Sequence, residues 1–121
     1  MIQGAVVGLQ ILVNVSFRLP NSPDIQIEFV VDTGFEGALT LPSNAVTALG
    51  LPYLGQINAN LADDSSAKVD VYQATILWHG QEVSAAILAM GKRPLLGTFL
   101  LDGFNLNADF EDNGIAALKQ L

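Results

Sequence analysis

Phe29-Val30-Val31-Asp32-Thr33-Gly34 is the stretch on which the reading of this chain turns. The apolar residues Phe29 to Val31 run straight into an acid, a hydroxyl and a glycine. A strand that ends this way carries a carboxylate out of an apolar environment into a turn. A charge in such a place is costly unless it is hydrogen-bonded, paired or neutralised. Gly34 opens backbone angles closed to other residues and lets other atoms approach. Thr33 supplies a hydroxyl that both donates and accepts. The pattern is one that places a working carboxylate. The plainer alternative is a turn aspartate that caps nearby amides.

The residues before the motif alternate. Ile25, Ile27 and Phe29 are separated by Gln26 and Glu28, which predicts a strand with unlike faces. Upstream of the turn cluster Pro20-Asn21-Ser22-Pro23-Asp24, the residues Leu9, Ile11, Val13, Val15 and Phe17 alternate with Gln10, Leu12, Asn14 and Ser16. This predicts one strand over Ala5 to Phe17 with the odd positions buried, paired with the Ile25 strand as a hairpin.

Downstream, Ala38 to Leu41 predicts a short strand stopped by Pro42. Ser43 is the predicted cap of a short helix over Asn44 to Leu49, with Gly50 at its end. Leu51 to Gly55 reads as a connection. Gln56 to Leu61 and Lys68 to Leu77 predict a hairpin with a polar tip. Trp78-His79-Gly80-Gln81 is a turn, Glu82 to Met90 a strand, and Gly91 to Pro94 a loop. Thr98 to Leu101 predicts a short helical turn and Phe104 to Phe110 a strand. Asp112-Asn113-Gly114 predicts a tight hairpin turn before Ile115 to Leu118. Short strands, regular turns and one or two short helices make the fold class all-β, a barrel or sandwich in a single domain over residues 1–121.

Composition narrows the function. Half of the 121 residues are hydrophobic and 14% are charged, which is a folded domain with its own core. A net charge of −7, with scattered Lys and Arg, argues against a nucleic-acid partner. No apolar run reaches the ~20 residues of a membrane span, and the start Met1-Ile2-Gln3-Gly4 lacks the basic region of a signal peptide. Cysteine is absent, so disulfide and thiol chemistry are out, and a cytoplasmic location is the expectation.

Asp32-Thr33-Gly34 resembles the active-site motif of aspartic proteases, specifically the single-lobed retropepsin-like group of bacterial and cellular type. Arg93-Pro94-Leu95-Leu96-Gly97 resembles the apolar-apolar-Gly segment that packs behind the catalytic loop in that group. The order of Asp-Thr-Gly, polar hairpin and Leu-Leu-Gly fits as well, and the resemblance runs from roughly Val6 to Phe110. It implies a closed β-barrel and an aspartic endopeptidase acting on peptide or protein substrates as a homodimer, with no cofactor and no metal. Asp32, Thr33 and Gly34 would be catalytic, with Thr33 reaching the partner's backbone. Leu95, Leu96 and Gly97 would support the site. The hairpin tip Ala62, Asp63, Asp64, Ser65 and Ser66 would be the flap that covers a bound peptide by strand addition. Two departures stand out. The tip has no glycine, unlike the viral members. Thr98-Phe99 stands where viral members carry an Arg-Asp that helps tie the dimer.

The chemistry explains the dimer. Hydrolysis without a metal or a covalent intermediate needs one group to take a proton from water and another to give a proton to the carbonyl oxygen. Two carboxylates ~3 Å apart that share one proton do both. This chain carries a single Asp-Thr-Gly, so a twofold partner would bring the second acid. Failing a partner, Asp63, Asp64 and Asp102 are the acids to test. The second reading is a retropepsin-like dimerisation or peptide-binding module with little or no proteolysis, since fold does not fix function.

Other candidates carry less. His79, the sole histidine, lacks the nucleophile-elbow pattern of a Ser-His-Asp triad. Asp63-Asp64 lacks the spaced ligands of a calcium loop and reads as a solvated turn. Asp109, Glu111 and Asp112 read as a charged hairpin end, with Asn105 and Asn107 facing outward.

Overall fold

A computed structural model describes residues 1–60 and 63–121. The strands are β1 (Ile2–Val7), β2 (Gln10–Arg18), β3 (Ile25–Val31) and β4 (Leu39–Leu41), followed by helix α1 (Ser43–Leu49). Next come β5 (Tyr53–Asn60), β6 (Ser66–Trp78), β7 (Gln81–Ala89) and β8 (Leu95–Leu96). Helix α2 (Thr98–Leu101), β9 (Phe104–Ala108) and β10 (Gly114–Gln120) complete the chain. The all-β reading with short helices holds.

All strands join one ten-stranded sheet in the order β5-β6-β7-β4-β8-β3-β2-β1-β10-β9. A further β6–β2 pairing closes β2, β3, β8, β4, β7 and β6 into a ring. The closure depends on β2 changing partner along its length. Its first residues pair with β1 through Val6↔Ile11, and its last pair with β6 through Phe17↔Ile76. Inside the ring Val13, Val15, Phe17, Phe29, Leu39, Ile76, Ile87 and Leu96 form the main core. The rings of Phe17 and Phe29 stack there at 5.9 Å.

β6 serves two cores. Ala74, Ile76 and Trp78 face the main one. Val69 and Val71, on the opposite face, join Leu88 in a second cluster flanked by Phe35, Ala59 and Met90. Strand alternation makes this possible, because neighbouring side chains point to opposite faces.

Several expectations are corrected. The predicted strand over Ala5 to Phe17 is two strands, broken at Gly8 (φ 56°) and Leu9 (φ 65°). A two-residue turn with both residues left-handed matches the twist of a hairpin, and Gly8 adopts that conformation without strain. Leu9 therefore lies at a turn, 82% exposed, and not on the buried face. Ser43 does not cap α1. It is the first helical residue, Pro42 is the cap, and no side-chain capping bond forms. The Pro42 carbonyl takes the amides of Ala45 and Val46. Gly50 closes α1 in the left-handed conformation as expected.

The stretch read as a connection into β5 is already strand from Tyr53, because Tyr53 pairs with Tyr72 and their rings meet edge-on at 5.3 Å. The last turn is wider than the tight hairpin expected. Asp109 N–H donates to the Ile115 carbonyl and Gly114 N–H to the Glu111 carbonyl, leaving 109–113 as the connection. β10 is a true sheet member, paired with both β1 and β9 of its own chain.

Candidate functional site

Asp32 stands at the point where β3 leaves the sheet. The β3–β8 ladder is parallel, with Val30 opposite Leu95 and Val31 opposite Leu96. Asp32 N–H extends that ladder by donating to the Leu96 carbonyl at 2.9 Å. The backbone then turns, Phe35 N–H donating to the Asp32 carbonyl at 3.1 Å. Inside the turn Gly34 N–H donates to Asp32 Oδ1 at 2.9 Å, which fixes the direction of the carboxylate. Asp32 is half-buried, and Thr33 and Gly34 are exposed.

Leu95, Leu96 and Gly97 lie directly behind this turn. Gly97 N–H donates to the Ala38 carbonyl at 2.9 Å and Thr98 N–H to the Phe35 carbonyl at 2.8 Å. A Cβ on Gly97 would stand 2.2 Å from the Gly37 carbonyl oxygen and 2.5 Å from that of Phe35, so only glycine fits. Two supports were missed from sequence. Thr40, 2% exposed, accepts the Leu95 amide on Oγ1 at 3.1 Å. A hydroxyl between Leu39 and Leu41 was the available signal. Phe35 packs on the Val69-Val71-Leu88 cluster, and so links the Asp32 turn to the root of the β5–β6 hairpin.

Beside Asp32 and Thr33 opens a recess of about 430 Å³. Leu9, Ile11, Val30, Leu95 and Phe110 make its apolar wall, and Gln10 adds an amide. Asp32 is the sole carboxylate among the described residues that line it. Leu9 and Phe110 are mostly exposed. Neither they nor Gln10 carried a sequence signal, because a turn and a strand end far away in the chain bring them here.

The hairpin tip is not brought to this recess. Asp63, Asp64, Ser65 and Ser66 are exposed and absent from its lining, and Ala62 lies outside the described residues. The tip is closed on itself. Ser65 donates its amide (3.0 Å) and its hydroxyl (2.5 Å) to Asp63 Oδ1. These bonds hold the Asp63 carboxyl below the usual carboxylate range. Asp64 takes a left-handed φ of 63°. Among the described residues no group of three or more His, Cys, Asp or Glu gathers as for a metal ion, and no helix is long and apolar enough to cross a membrane.

His79 is not among the residues that line the recess beside Asp32. It occupies the β6–β7 turn with φ 51°, its ring stacked on Phe104 at 4.1 Å and edge-on to Trp78. Its Nε2 is buried without a hydrogen-bond partner among the described residues, and burial pushes its pKa down. Among the described residues no hydrogen bond joins His79 to a hydroxyl, so the triad arrangement is not formed there. Asn105 and Asn107 are exposed, as expected.

No family model matches the chain, and no curated protein matches it. Among solved structures the chain is similar to a retropepsin-like aspartic protease from Rickettsia conorii. The identity is 18% and the TM-score 0.57, over 96% of this chain and 91% of that one. The fold of this chain, with its strand ring and short helices, is thus the one seen in a retropepsin-like aspartic protease.

Proposed function

We propose that the protein is an aspartic endopeptidase that works as a homodimer, with Asp32 of each subunit forming the dyad. The observation that carries this reading is the placement of Asp32. Its amide is tied to Leu96 and its carboxylate to Gly34, at the mouth of a recess that holds no other carboxylate among the described residues. The fold shared with a retropepsin-like protease supports it.

In the dyad, one carboxylate takes a proton from water while the water oxygen attacks the peptide carbonyl carbon. The other carboxylate gives its proton to the carbonyl oxygen. Collapse of the tetrahedral intermediate breaks the C–N bond, and the amine leaves with a proton from the dyad. Thr33 and Gly34 hold the carboxylates in register and Leu95 to Gly97 brace the turn, while the hairpin tip, whose described residues do not line the recess, would have to close over a bound peptide to act as its flap. We place the protein in a reducing, cytoplasmic compartment, on the absence of cysteine.

A specific observation favours a second reading. The tip closed by Asp63 and Ser65 has no glycine hinge, which suits a peptide-binding or dimerisation module. Asp32→Asn separates the two. The exchange keeps shape and removes the shared proton, so hydrolysis of a peptide library should fall by ~10³-fold or more with the fold intact. Undiminished cleavage by pure Asp32→Asn protein rules out the aspartic mechanism. No cleavage by the unaltered protein at any pH supports the module.

A further inference from the structure

The face that carries Asp32 also carries a cation. In the register of the sheet Leu12 is opposite Val30, and Val30 is opposite Leu95. Paired residues share a face, and residues two apart along a strand return to it. Gln10 and Asp32 therefore lie on the same face as Leu12 and Val30. Both line the recess.

Arg93 precedes β8 and is exposed. Its Nη1 donates to Gln10 Oε1. In the sheet β3 lies between β8 and β2, so this bond takes the guanidinium across the face of β3, the strand that leads into Asp32. Arg93 is not itself among the residues that line the recess, and its bond to Gln10, which is, sets the guanidinium beside it.

The charge of Arg93 is not neutralised by that partner. The ion pairs among the described residues both belong to Arg18, with Asp24 and Glu82. Arg93 and Asp32 form none. Among the described residues one N–H of Arg93 is spent on Gln10, and the rest of the planar fork is open to a carboxylate. The wall beside it is apolar, formed by Leu9, Ile11, Val30, Leu95 and Phe110. Glu28, two residues before Val30, lies on this face as well, and among the described residues neither it nor Asp32 forms an ion pair with Arg93, so an apolar wall ending in a tethered guanidinium matches a short aliphatic stem that ends in a carboxylate.

We infer that Arg93, tethered by Gln10, is a specificity residue that selects peptides with an acidic side chain beside the bond that is cut. This rests on the peptidase reading of Asp32. A neutral or basic residue in the same place forfeits a charge-assisted hydrogen bond, or meets a like charge.

The test compares the unaltered protein with Arg93→Gln and Arg93→Glu on a peptide library read by mass spectrometry. The unaltered protein should favour Glu or Asp over Gln at one position flanking the cut by roughly tenfold or more in kcat/KM. Arg93→Gln should erase that preference, and Arg93→Glu should turn it toward Lys or Arg at the same position. An identical preference profile in all three proteins overturns the inference while leaving the peptidase reading intact.

If none of them cleaves, the peptidase reading fails separately, and binding decides the role of Arg93. N-acetyl-glutamate methylamide, titrated into the unaltered protein, should shift the NMR signals of the Gln10 side-chain amide and the Thr33 amide. The glutamine analogue should not, and Arg93→Gln should lose the response. Equal shifts from both probes, or shifts from neither, overturn the inference.

Discussion

The amide of Asp32 donates to the carbonyl of Leu96 at 2.9 Å, so the residue that follows β3 is fixed by the residue that ends β8. The segments that follow then lock together, Gly97 N–H donating to the Ala38 carbonyl and Thr98 N–H to the Phe35 carbonyl. Gly97 leaves no room for a Cβ against the carbonyls of Gly37 and Phe35. The Asp-Thr-Gly turn and the Leu-Leu-Gly segment are one structural unit, although more than sixty residues separate them.

Gly97→Ala should break that unit. The added Cβ would stand 2.2 Å from the Gly37 oxygen, and a backbone oxygen cannot rotate away. The expected loss is about 3 kcal/mol in denaturant unfolding. Any peptidase activity should fall further than the folded fraction does, because the carboxylate moves with the turn. A variant with unchanged stability would show that the contact relaxes freely.

Thr40→Val tests the second support. Valine keeps the shape but removes the hydroxyl that accepts the half-buried Leu95 amide. The cost should be about 2 kcal/mol. Hydrogen exchange at the Leu95 amide should quicken in the variant. An unaltered exchange rate would mean that the hydroxyl does not hold β8.

His79 makes stability depend on pH. Burial lowers its folded pKa below the ordinary value of about 6.5. The unfolded chain therefore takes up the proton first as pH falls. Stability is greatest above pH ~6.5, declines as pH drops through the folded pKa, and levels off below it. Urea midpoints should fall on moving from neutral to mildly acidic pH, and by less in His79→Asn, which tolerates the left-handed turn. Parallel curves for the two proteins would exclude His79 as the source.

Dilution tests the shared dyad. Specific activity should fall faster than linearly as protein is diluted through the dimer dissociation range. Excess Asp32→Asn chains should poison the unaltered ones by forming mixed dimers. Activity strictly linear in protein, with sedimentation showing only monomer, would require a second acid from the same chain.

What the sequence by itself determined was local. Alternation of apolar and polar residues marked β2, β3 and β6, since strand side chains alternate whatever their partners. Gly50 marked the end of α1 because few residues adopt a left-handed φ cheaply. Val31-Asp32-Thr33-Gly34 marked a carboxylate at a strand end for the same kind of reason. The tertiary structure decided everything that depends on partners distant in the chain. The change of partner along β2 that closes the ring is one such case, and the second core on the far face of β6 is another. Leu9 broke the pattern, its alternation reading as buried strand while the pairing of β1 with β2 made it a turn. The recess beside Asp32 gathers Leu9, Gln10, Leu95 and Phe110 from separate parts of the chain, and the Gln10–Arg93 bond joins residues 83 apart. Register and pairing are set by the summed burial of whole faces, which no window of a few residues contains.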